Sequence, residues 1–350
     1  MSDSGPEGEP DRLDGVPLPE QQTHIVGHEA ARATLTARLD ASRLPGGILL
    51  HGPPGIGKAT LAFVAARQIL AATGDEGAAR VDEQVAAGAH PNLYVLRRQP
   101  RDTGKGYYTV IRVEEIRALR DRLHHTRGRA GHRIAIIDAI DDCNPAAANA
   151  LLKTLEEPPA ETMFLLVSHR PGQLLPTIRS RCHALALRPL SAAEVRAVLA
   201  ANRPELDAAT LDRAVALAGG RPRRGFEALL LSDDSVLGAL KAWLGAPASG
   251  PAAIHFRLAD TLAADPGGAE VAFARDMLTD WLAAEARDAA TAGPRARPRL
   301  ASVNALWDKA NALFAEADSL NLDVRQTLIV ILDAIRKHVL TTFPELTEPR

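Results

Sequence analysis

One stretch of nine residues determines how this chain is expected to fold: Gly52-Pro53-Pro54-Gly55-Ile56-Gly57-Lys58-Ala59-Thr60. It matches the phosphate-loop pattern G-x-x-x-x-G-K-[ST] at every position except the last, where Ala59 stands. An apolar run at 48–50 precedes it and apolar residues at helical spacing follow it, which predicts a strand, the loop and then a helix. Such a loop turns its N–H groups toward an anion, and Lys58 would reach the outer phosphates of a nucleotide.

Ala59 replaces the residue of the phosphate loop that normally binds a metal ion. A serine or threonine at this position normally provides the hydroxyl that holds Mg²⁺ against the nucleotide. Thr60 lies one helical position further on, about 100° around the axis, so it is not expected simply to replace that ligand. The loop therefore predicts that ATP or ADP binds without efficient hydrolysis. Its expected nucleotide-binding residues are Gly52, Gly55, Gly57, Lys58 and Thr60.

The composition limits the classes of function. The formal net charge of −2 gives no overall basic field that would attract nucleic acid or membranes. Aromatic residues make up 4 %, which argues against base-stacking surfaces. Two cysteines cannot form a disulfide framework or a four-cysteine zinc site. No carboxylate or cysteine at suitable spacing completes a ligand set with His124, His125 and His132, so no metal site is predicted. No apolar run approaches the ~18 residues of a membrane span.

Residues 1–22 are predicted to form a disordered acidic tail. Six of them are Asp or Glu and only Arg12 is basic, and prolines and glycines are frequent. The segment has no apolar stretch of the kind that signal peptides carry. We interpret it as a solvated leader.

Short apolar runs alternate with helical patterns from 47 to 187, and this alternation predicts the fold class. The predicted strands lie at 48–50, 92–96, 134–138, 164–168 and 184–187. Apolar strands separated by helices are typical of a doubly wound parallel sheet covered on both faces. After Pro189 only helical patterns follow. We predict an α/β P-loop domain at 23–187, a small helical domain at 188–240 and an all-helical domain at 241–345.

The apolar strand at 134–138 ends in Asp138, a second candidate site residue. In P-loop NTPases an aspartate at this place associates with the metal ion. Asp141 and Asp142 follow closely and are interpreted as capping or solvated carboxylates. A short basic run lies in a predicted loop and is interpreted as solvated, with contact to DNA phosphates as the alternative: Arg97, Arg98, Arg101 and Lys105.

Three stretches together resemble the clamp-loader subunits of the AAA+ class. They are residues 149–159 (NALLKTLEEPP), the triplet Ser180-Arg181-Cys182 and residues 26–29 (VGHE). The resemblance covers about residues 23–230. It implies an AAA+ P-loop domain, a small helical lid domain and a collar domain through which subunits join a hetero-oligomeric ring.

Within this family the chain resembles the subunits that do not hydrolyse ATP. The hydrolysing γ/τ subunits keep the Ser or Thr of the phosphate loop, a glutamate after the strand aspartate and a four-cysteine zinc module. This chain has Ala59, Ala139 and no cysteine at 71–91. Residues 90–96 and 137–142 resemble a stator-like subunit of the bacterial DNA polymerase III loader.

That resemblance implies partners and a location. The partners would be γ/τ and δ subunits, a sliding clamp and primed DNA within the complex, without a membrane. The location would be the bacterial cytoplasm, at the nucleoid when the loader is assembled. The chain would belong to a DNA-directed DNA polymerase holoenzyme without joining nucleotides itself.

The resemblance also assigns roles to three side chains. Arg181 would act in trans, as an arginine finger directed at the γ-phosphate of a neighbour's ATP, whereas Arg179 is expected to form a structural ion pair. Ser168 would stand at the first sensor position, with capping of its strand as the alternative. Arg224 would be the second nucleotide-sensing arginine, with a surface basic patch as the alternative.

Two other functions stay open at this point. One is an ATP-hydrolysing subunit of the γ/τ type or of another AAA+ machine. The other is a scaffold in which Arg181 has no role in hydrolysis.

Overall fold

The computed structural model describes residues 12–13, 15–40, 46–102, 107–124, 129–231, 236–251, 253–265, 268–320 and 322–342. Residues 1–11 of the predicted acidic tail lie outside the described residues. The chain divides into two compact units, Met1–Leu229 and Leu230–Arg350. The finer boundaries of a lid and a collar domain stay predictions.

A parallel sheet forms the centre of the first unit. Its strands are β1 (Gly47–His51), β2 (Leu93–Leu96), β3 (Arg133–Asp138), β4 (Thr162–Ser168) and β5 (His183–Ala186). They lie in the order β2-β3-β4-β1-β5, and every neighbouring pair is parallel. All five predicted strands are confirmed, with ends that differ by one or two residues.

Helices connect these strands and then replace them. The helices of the first unit are α1 (Glu29–Asp40), α2 (Lys58–Thr73), α3 (Ala78–Ala86), α4 (Val113–His124), α5 (Pro145–Glu156), α6 (Pro176–Arg181), α7 (Ala192–Asn202), α8 (Ala208–Ala218) and α9 (Pro222–Ala228). Asn144 caps α5, because its side chain accepts a hydrogen bond from the N–H of Ala147. Ser191 and Glu194 form a capping box at the start of α7.

Two apolar layers cover the two faces of the sheet. Alternate strand residues face opposite sides, so Ile48 and Ile136 pack in the layer that contains α2. Leu49 and Ile137 pack in the other layer, with α4 and α5. The predicted doubly wound α/β fold with a parallel sheet is confirmed.

The carboxyl ends of three central strands carry polar residues that meet at one edge. β1 ends at His51, which is in register with Ser168 at the end of β4. β3 ends at Asp138, in register with Val167. Ligands of open α/β sheets bind outside this edge, so the fold places the candidate site there.

All the regular secondary structure described in the second unit is helical. Its helices are α10 (Leu237–Gly245), α11 (Ala253–Leu262), α12 (Ala269–Thr291), α13 (Arg297–Leu320) and α14 (Val324–Thr342). An apolar stripe on α14 is buried from Leu328 to Val339. The prediction of an all-helical C-terminal part is confirmed for the described residues.

Candidate functional site

The phosphate loop joins β1 to α2 and depends on glycine at both of its ends. Gly52 has a φ of +151°, and a Cβ there would lie 2.3 Å from the carbonyl oxygen of Leu187. Gly57 has a φ of +96°, in the region that favours glycine, and directly precedes α2. The packing of the backbone therefore maintains the shape of the loop.

Lys58 begins α2 and lies inside the loop, with 3 % of its surface exposed. Its Nζ donates hydrogen bonds to the carbonyl oxygens of Gly52 at 2.8 Å and Pro53 at 2.5 Å. Burial lowers the pKa of this ammonium group to about 7, although Asp138 and Asp141 act in the opposite direction. A phosphate anion bound at the loop would favour the charged form and raise that pKa.

A cavity of about 370 Å³ opens beside the loop. This volume falls within the range of about 300–1,000 Å³ that is usual for small-molecule sites. The walls come from loop residues 54–60, from the N-terminal segment between 12 and 26, and from α7 and α9. Gly55, Gly57, Lys58, Thr60 and Asp138 all line the cavity, so it brings together five of the predicted nucleotide-binding residues.

The N-terminal wall corrects part of the predicted disordered tail. Residues 15–22 are described and contain a 3-10 turn at Pro19–Gln21. The buried guanidinium of Arg67 donates hydrogen bonds to the carbonyl oxygens of Glu20 and Gln22. Composition alone did not reveal this order, because Arg67 of α2 binds backbone carbonyl groups, which every residue type carries.

The place where P-loop proteins hold Mg²⁺ carries unsuitable ligands in this chain. Mg²⁺ requires oxygen ligands in octahedral geometry, and Ala59 has no side-chain oxygen. The strand carboxylate Asp138 has its Oδ2 3.5 Å from Nε of Arg97. The next residue, Ala139, supplies no carboxylate that could act on a water molecule. The residues present therefore do not fit the metal ion that the fold commonly holds.

Arg97 follows β2 directly and lines the cavity, with 12 % of its side chain exposed. Its Nη1 and Nη2 donate to the two carboxylate oxygens of Glu20, at 3.1 and 2.9 Å. Its guanidinium carbon lies 5.4 Å from the centre of the Phe63 ring. The next residue, Arg98, pairs with Asp142 at 3.2 Å. The interpretation of this run as a solvated loop is wrong for Arg97 and Arg98.

The position of Arg97 in the sequence does indicate that it lies at the site. It directly follows a strand, and residues that follow parallel strands gather at the same edge of the sheet. The pairing of β2 with β3, which aligns Leu96 with Ile137, brings Arg97 close to Asp138. Periodicity does not specify strand order, so the sequence alone did not select this arginine.

Ser168 and Asp141 form a polar contact at the end of β4. Ser168 is fully buried, and its Oγ donates a hydrogen bond to Oδ1 of Asp141 at 2.9 Å. The same carboxylate accepts hydrogen bonds from the N–H groups of His169 at 2.5 Å and Arg170 at 3.1 Å. Asp141 is therefore not solvated but binds the end of β4 and the residues that follow it. A sensor role for Ser168 stays a prediction.

The arginines at the start of α9 lie at different depths. The N–H of Arg223 donates to the carbonyl oxygen of Gly55 at 3.2 Å, and Arg223 lines the cavity. Arg224 is 4 % exposed and is not one of the cavity-lining residues. The structure therefore places Arg223 rather than Arg224 against the phosphate loop. A nucleotide-sensing role for Arg224 stays a prediction.

Arg181 ends α6 and lies away from the cavity, with 33 % of its side chain exposed. Its Nη2 pairs with Oε1 of Glu156 at 2.6 Å, and its Nη1 donates to the carbonyl oxygen of Thr177 at 3.0 Å. Glu156 belongs to the 149–159 stretch and ends α5. Two of the stretches that define the family resemblance thus meet at this ion pair.

Metal-binding clusters and membrane-spanning helices are both absent from the described residues. These residues contain no group of three or more His, Cys, Asp or Glu side chains that could hold a metal ion. Nor does any helix among them have the length and apolarity needed to cross a membrane.

Comparison with known families places the resemblance in the first unit. Residues 27–191 match the family model described as DNA polymerase III, delta subunit. The DNA polymerase III subunit delta' of Pseudomonas aeruginosa is 40 % identical over 178 residues, which are 50 % of this chain and 52 % of that protein. The Escherichia coli subunit delta' is 35 % identical over 159 residues, which are 44 % of this chain and 46 % of that protein. The predicted resemblance is confirmed over this region.

The aligned regions cover part of this chain and part of each relative. The chain spans about half the length of these delta' relatives. The Mycobacterium bovis subunit gamma/tau is 31 % identical over 229 residues, which are 63 % of this chain and 38 % of that protein. Among solved structures, the Thermotoga maritima RuvB Holliday junction branch migration motor is similar with a TM-score of 0.45 and 18 % identity, over 93 % of this chain and 91 % of that one.

Proposed function

We propose that this chain is a δ′-type, stator-like subunit of a bacterial DNA polymerase III clamp loader. The proposal rests on the match of residues 27–191 to the delta-subunit family model. The geometry agrees with it, because Arg181 lies at the surface, while Ala59 and Ala139 stand at the positions that carry the metal-binding hydroxyl and the glutamate acting on water in hydrolysing subunits.

In this proposal Arg181 provides a cation to a neighbouring subunit. An arginine is always charged and presents a planar set of donors that can bind two phosphate oxygens at once. Placed against the γ-phosphate of a neighbour's ATP, it stabilises the charge that develops during hydrolysis. To do so, Arg181 must exchange its contact with Glu156 for the phosphate.

The remaining parts of the proposal concern partners and ligands. The neighbours are γ/τ and δ subunits, and the assembly places a sliding clamp on primed DNA in the bacterial cytoplasm. The chain itself binds ATP or ADP without efficient turnover, because the glycines and Lys58 of the loop are present while Ala59 and Ala139 replace the groups used in hydrolysis.

The test is Arg181→Ala in a loader reconstituted from the full chain and its partner subunits. Removal of a finger of this type is expected to lower the clamp-stimulated ATP hydrolysis rate at least 100-fold, by about 2.7 kcal/mol or more of transition-state stabilisation. Arg179→Ala is the matched control, because Arg179 is also exposed on α6. Native mass spectrometry checks that each variant still enters the complex. An assembled Arg181→Ala loader with unchanged hydrolysis would show that the chain is only a scaffold.

One observation favours a second function, in which this chain is itself an ATP-hydrolysing subunit. The gamma/tau relative aligns over more of this chain than the delta' relatives do, 63 % against 50 %. If the chain is itself a hydrolysing subunit, the purified protein will show Mg²⁺-dependent ATP turnover that Lys58→Ala abolishes. No turnover above that of the Lys58→Ala variant is the result expected from the stator proposal.

A further inference from the structure

The cavity contains the recognisable parts of a phosphate site but has lost the oxygen that would hold a metal ion. Ala59 and Phe63 are four residues apart on α2, so their side chains lie on the same face of the helix. The missing hydroxyl would have stood on this face. The side chain found there is the guanidinium of Arg97, which contacts the Phe63 ring.

The same guanidinium also lies beside Asp138, the second residue of the expected metal site. Asp138 is the carboxylate that associates with the metal in related folds, and its Oδ2 lies 3.5 Å from Nε of Arg97. Glu20, from the N-terminal wall, binds the far side of the guanidinium through both of its oxygens. Arg97 thus contacts two carboxylates, and its pair with Glu20 is bidentate.

We propose that Arg97 takes the place of Mg²⁺ in this cavity, so that the site binds a nucleoside di- or triphosphate without a divalent metal. A carboxylate without a cation would repel the phosphates. The guanidinium contacts both Asp138 and Glu20 and offsets part of their negative charge beside the loop, and it lies on the face of α2 that carries Ala59 and Phe63. The proposal rests on the nucleotide binding proposed above and does not depend on Arg181.

The charges of the cavity lining agree with an anionic ligand. Five lining residues are cationic, Arg12, Lys58, Arg97, Arg98 and Arg223, and only Asp138 and Asp142 are acidic. The loop adds backbone N–H groups at the start of α2, where the helix dipole also favours an anion. The volume of about 370 Å³ admits a small ligand.

The test is ADP binding to the full chain, measured by isothermal titration calorimetry in EDTA and in excess Mg²⁺. We expect ADP to bind in EDTA and to bind equally or more weakly with Mg²⁺, because the metal would compete with the protein for the phosphates. Binding that is at least tenfold tighter with Mg²⁺ would overturn the proposal. So would the absence of binding under both conditions. This comparison needs no variant.

Two variants sharpen the result. Arg97→Ala is expected to weaken metal-free ADP binding at least tenfold, whereas Arg101→Ala, in the same basic run but outside the cavity lining, leaves it within twofold. Adding Ala59→Thr to Arg97→Ala restores an oxygen ligand and removes the competing cation. This double variant is expected to bind ADP at least tenfold more tightly with Mg²⁺ than without it. Metal-free binding that is unaffected by Arg97→Ala, in protein with an unchanged circular dichroism spectrum, would overturn the proposal.

Discussion

Arg97 and Arg181 place the same side chain in two different environments. At the cavity, Arg97 is 12 % exposed and is paired with the carboxylates of Glu20 and Asp138. At the end of α6, Arg181 is 33 % exposed and is paired with Glu156, whose side chain is 46 % exposed. The first arginine is enclosed within the chain, whereas the second is accessible from outside.

The difference in burial determines which arginine can exchange its carboxylate partner for a group on another molecule. An exposed ion pair contributes about 0–1 kcal/mol, because water and salt screen it. Breaking a buried pair costs about 3–5 kcal/mol, because a charge is left without a partner. Arg181 can therefore leave Glu156 for a phosphate at small cost, while Arg97 stays with its carboxylates. An accessible cation can serve a neighbour, whereas an enclosed one shapes its own site.

The largest effect is expected where packing maintains the cavity. Gly52→Ala would place a Cβ 2.3 Å from the carbonyl oxygen of Leu187, so the backbone of the loop must shift. We expect the free energy of unfolding to fall by about 3 kcal/mol, measured on the full chain by urea denaturation with circular dichroism.

A matched glycine near the other arginine provides the control. Gly172 lies in the turn before α6, and a Cβ added there has no atom within 4 Å. Gly172→Ala should change the free energy of unfolding by less than about 0.5 kcal/mol. Equal losses in the two variants would contradict the view that the phosphate loop is the more tightly constrained region.

The next prediction tests whether the charge of Arg181 is sufficient or whether the planar shape of its guanidinium is also required. Arg181→Lys keeps the positive charge but loses the planar pair of donors that fits a phosphate. We expect hydrolysis by the reconstituted loader to fall at least tenfold, equivalent to about 1.4 kcal/mol. Arg179→Lys is the control and should stay within twofold of the unmodified loader. Full activity of Arg181→Lys would mean that charge alone suffices at this surface.

An effect of similar size concerns the stability cost of the buried ammonium in the cavity. The pKa of Lys58 is about 7 in the folded chain, against 10.5 as its ordinary value. Between these values the unfolded chain binds more protons than the folded chain, so the stability of the protein rises with pH across this window. Below pH 7 the cost of the buried charge is present in full, and above pH 10.5 it vanishes.

Removal of the charge should therefore stabilise the protein in a pH-dependent way. Lys58→Met is expected to raise the free energy of unfolding by about 1–3 kcal/mol at pH 6.5. At pH 9.5 the gain should be much smaller. Urea denaturation at both pH values measures the difference, and a gain that does not depend on pH would mean that the amine carries no such cost.

The smallest effect concerns the contact that holds Arg181. Glu156→Gln weakens an exposed pair worth about 0–1 kcal/mol, so Arg181 leaves it more easily for a neighbour's phosphate. We expect hydrolysis by the reconstituted loader to rise two- to threefold, equivalent to about 0.5 kcal/mol. A fall in the rate would show instead that Glu156 positions Arg181 for the reaction.

Local patterns predicted much of the first unit. The five strands follow from runs of apolar residues, and the phosphate loop follows from the order of its glycines and Lys58. The loss of the metal hydroxyl at Ala59 could be read directly, because that role belongs to a single position. The surface position of Arg181 agrees with what the family resemblance implies.

The cavity wall was not predictable in the same way. Glu20 lies in an acidic segment whose composition predicts disorder, and Arg97 lies in a run that favours a solvated loop. Both predictions failed because the partners of these residues are distant in sequence. Arg97 is 77 residues from Glu20, and hydrogen bonds over such separations leave no periodic pattern.

The sequence alone determined the type of fold, the phosphate loop and the absence of two groups that hydrolysis uses, because each depends on residue identity at neighbouring positions. Only the tertiary structure decided where the charges lie. The order of the strands brought Arg97 to Asp138, and the path of the N-terminal segment brought Glu20 to Arg97. Electrostatic interaction depends on distance and exposure to water, which are properties of the folded chain and not of its order of residues.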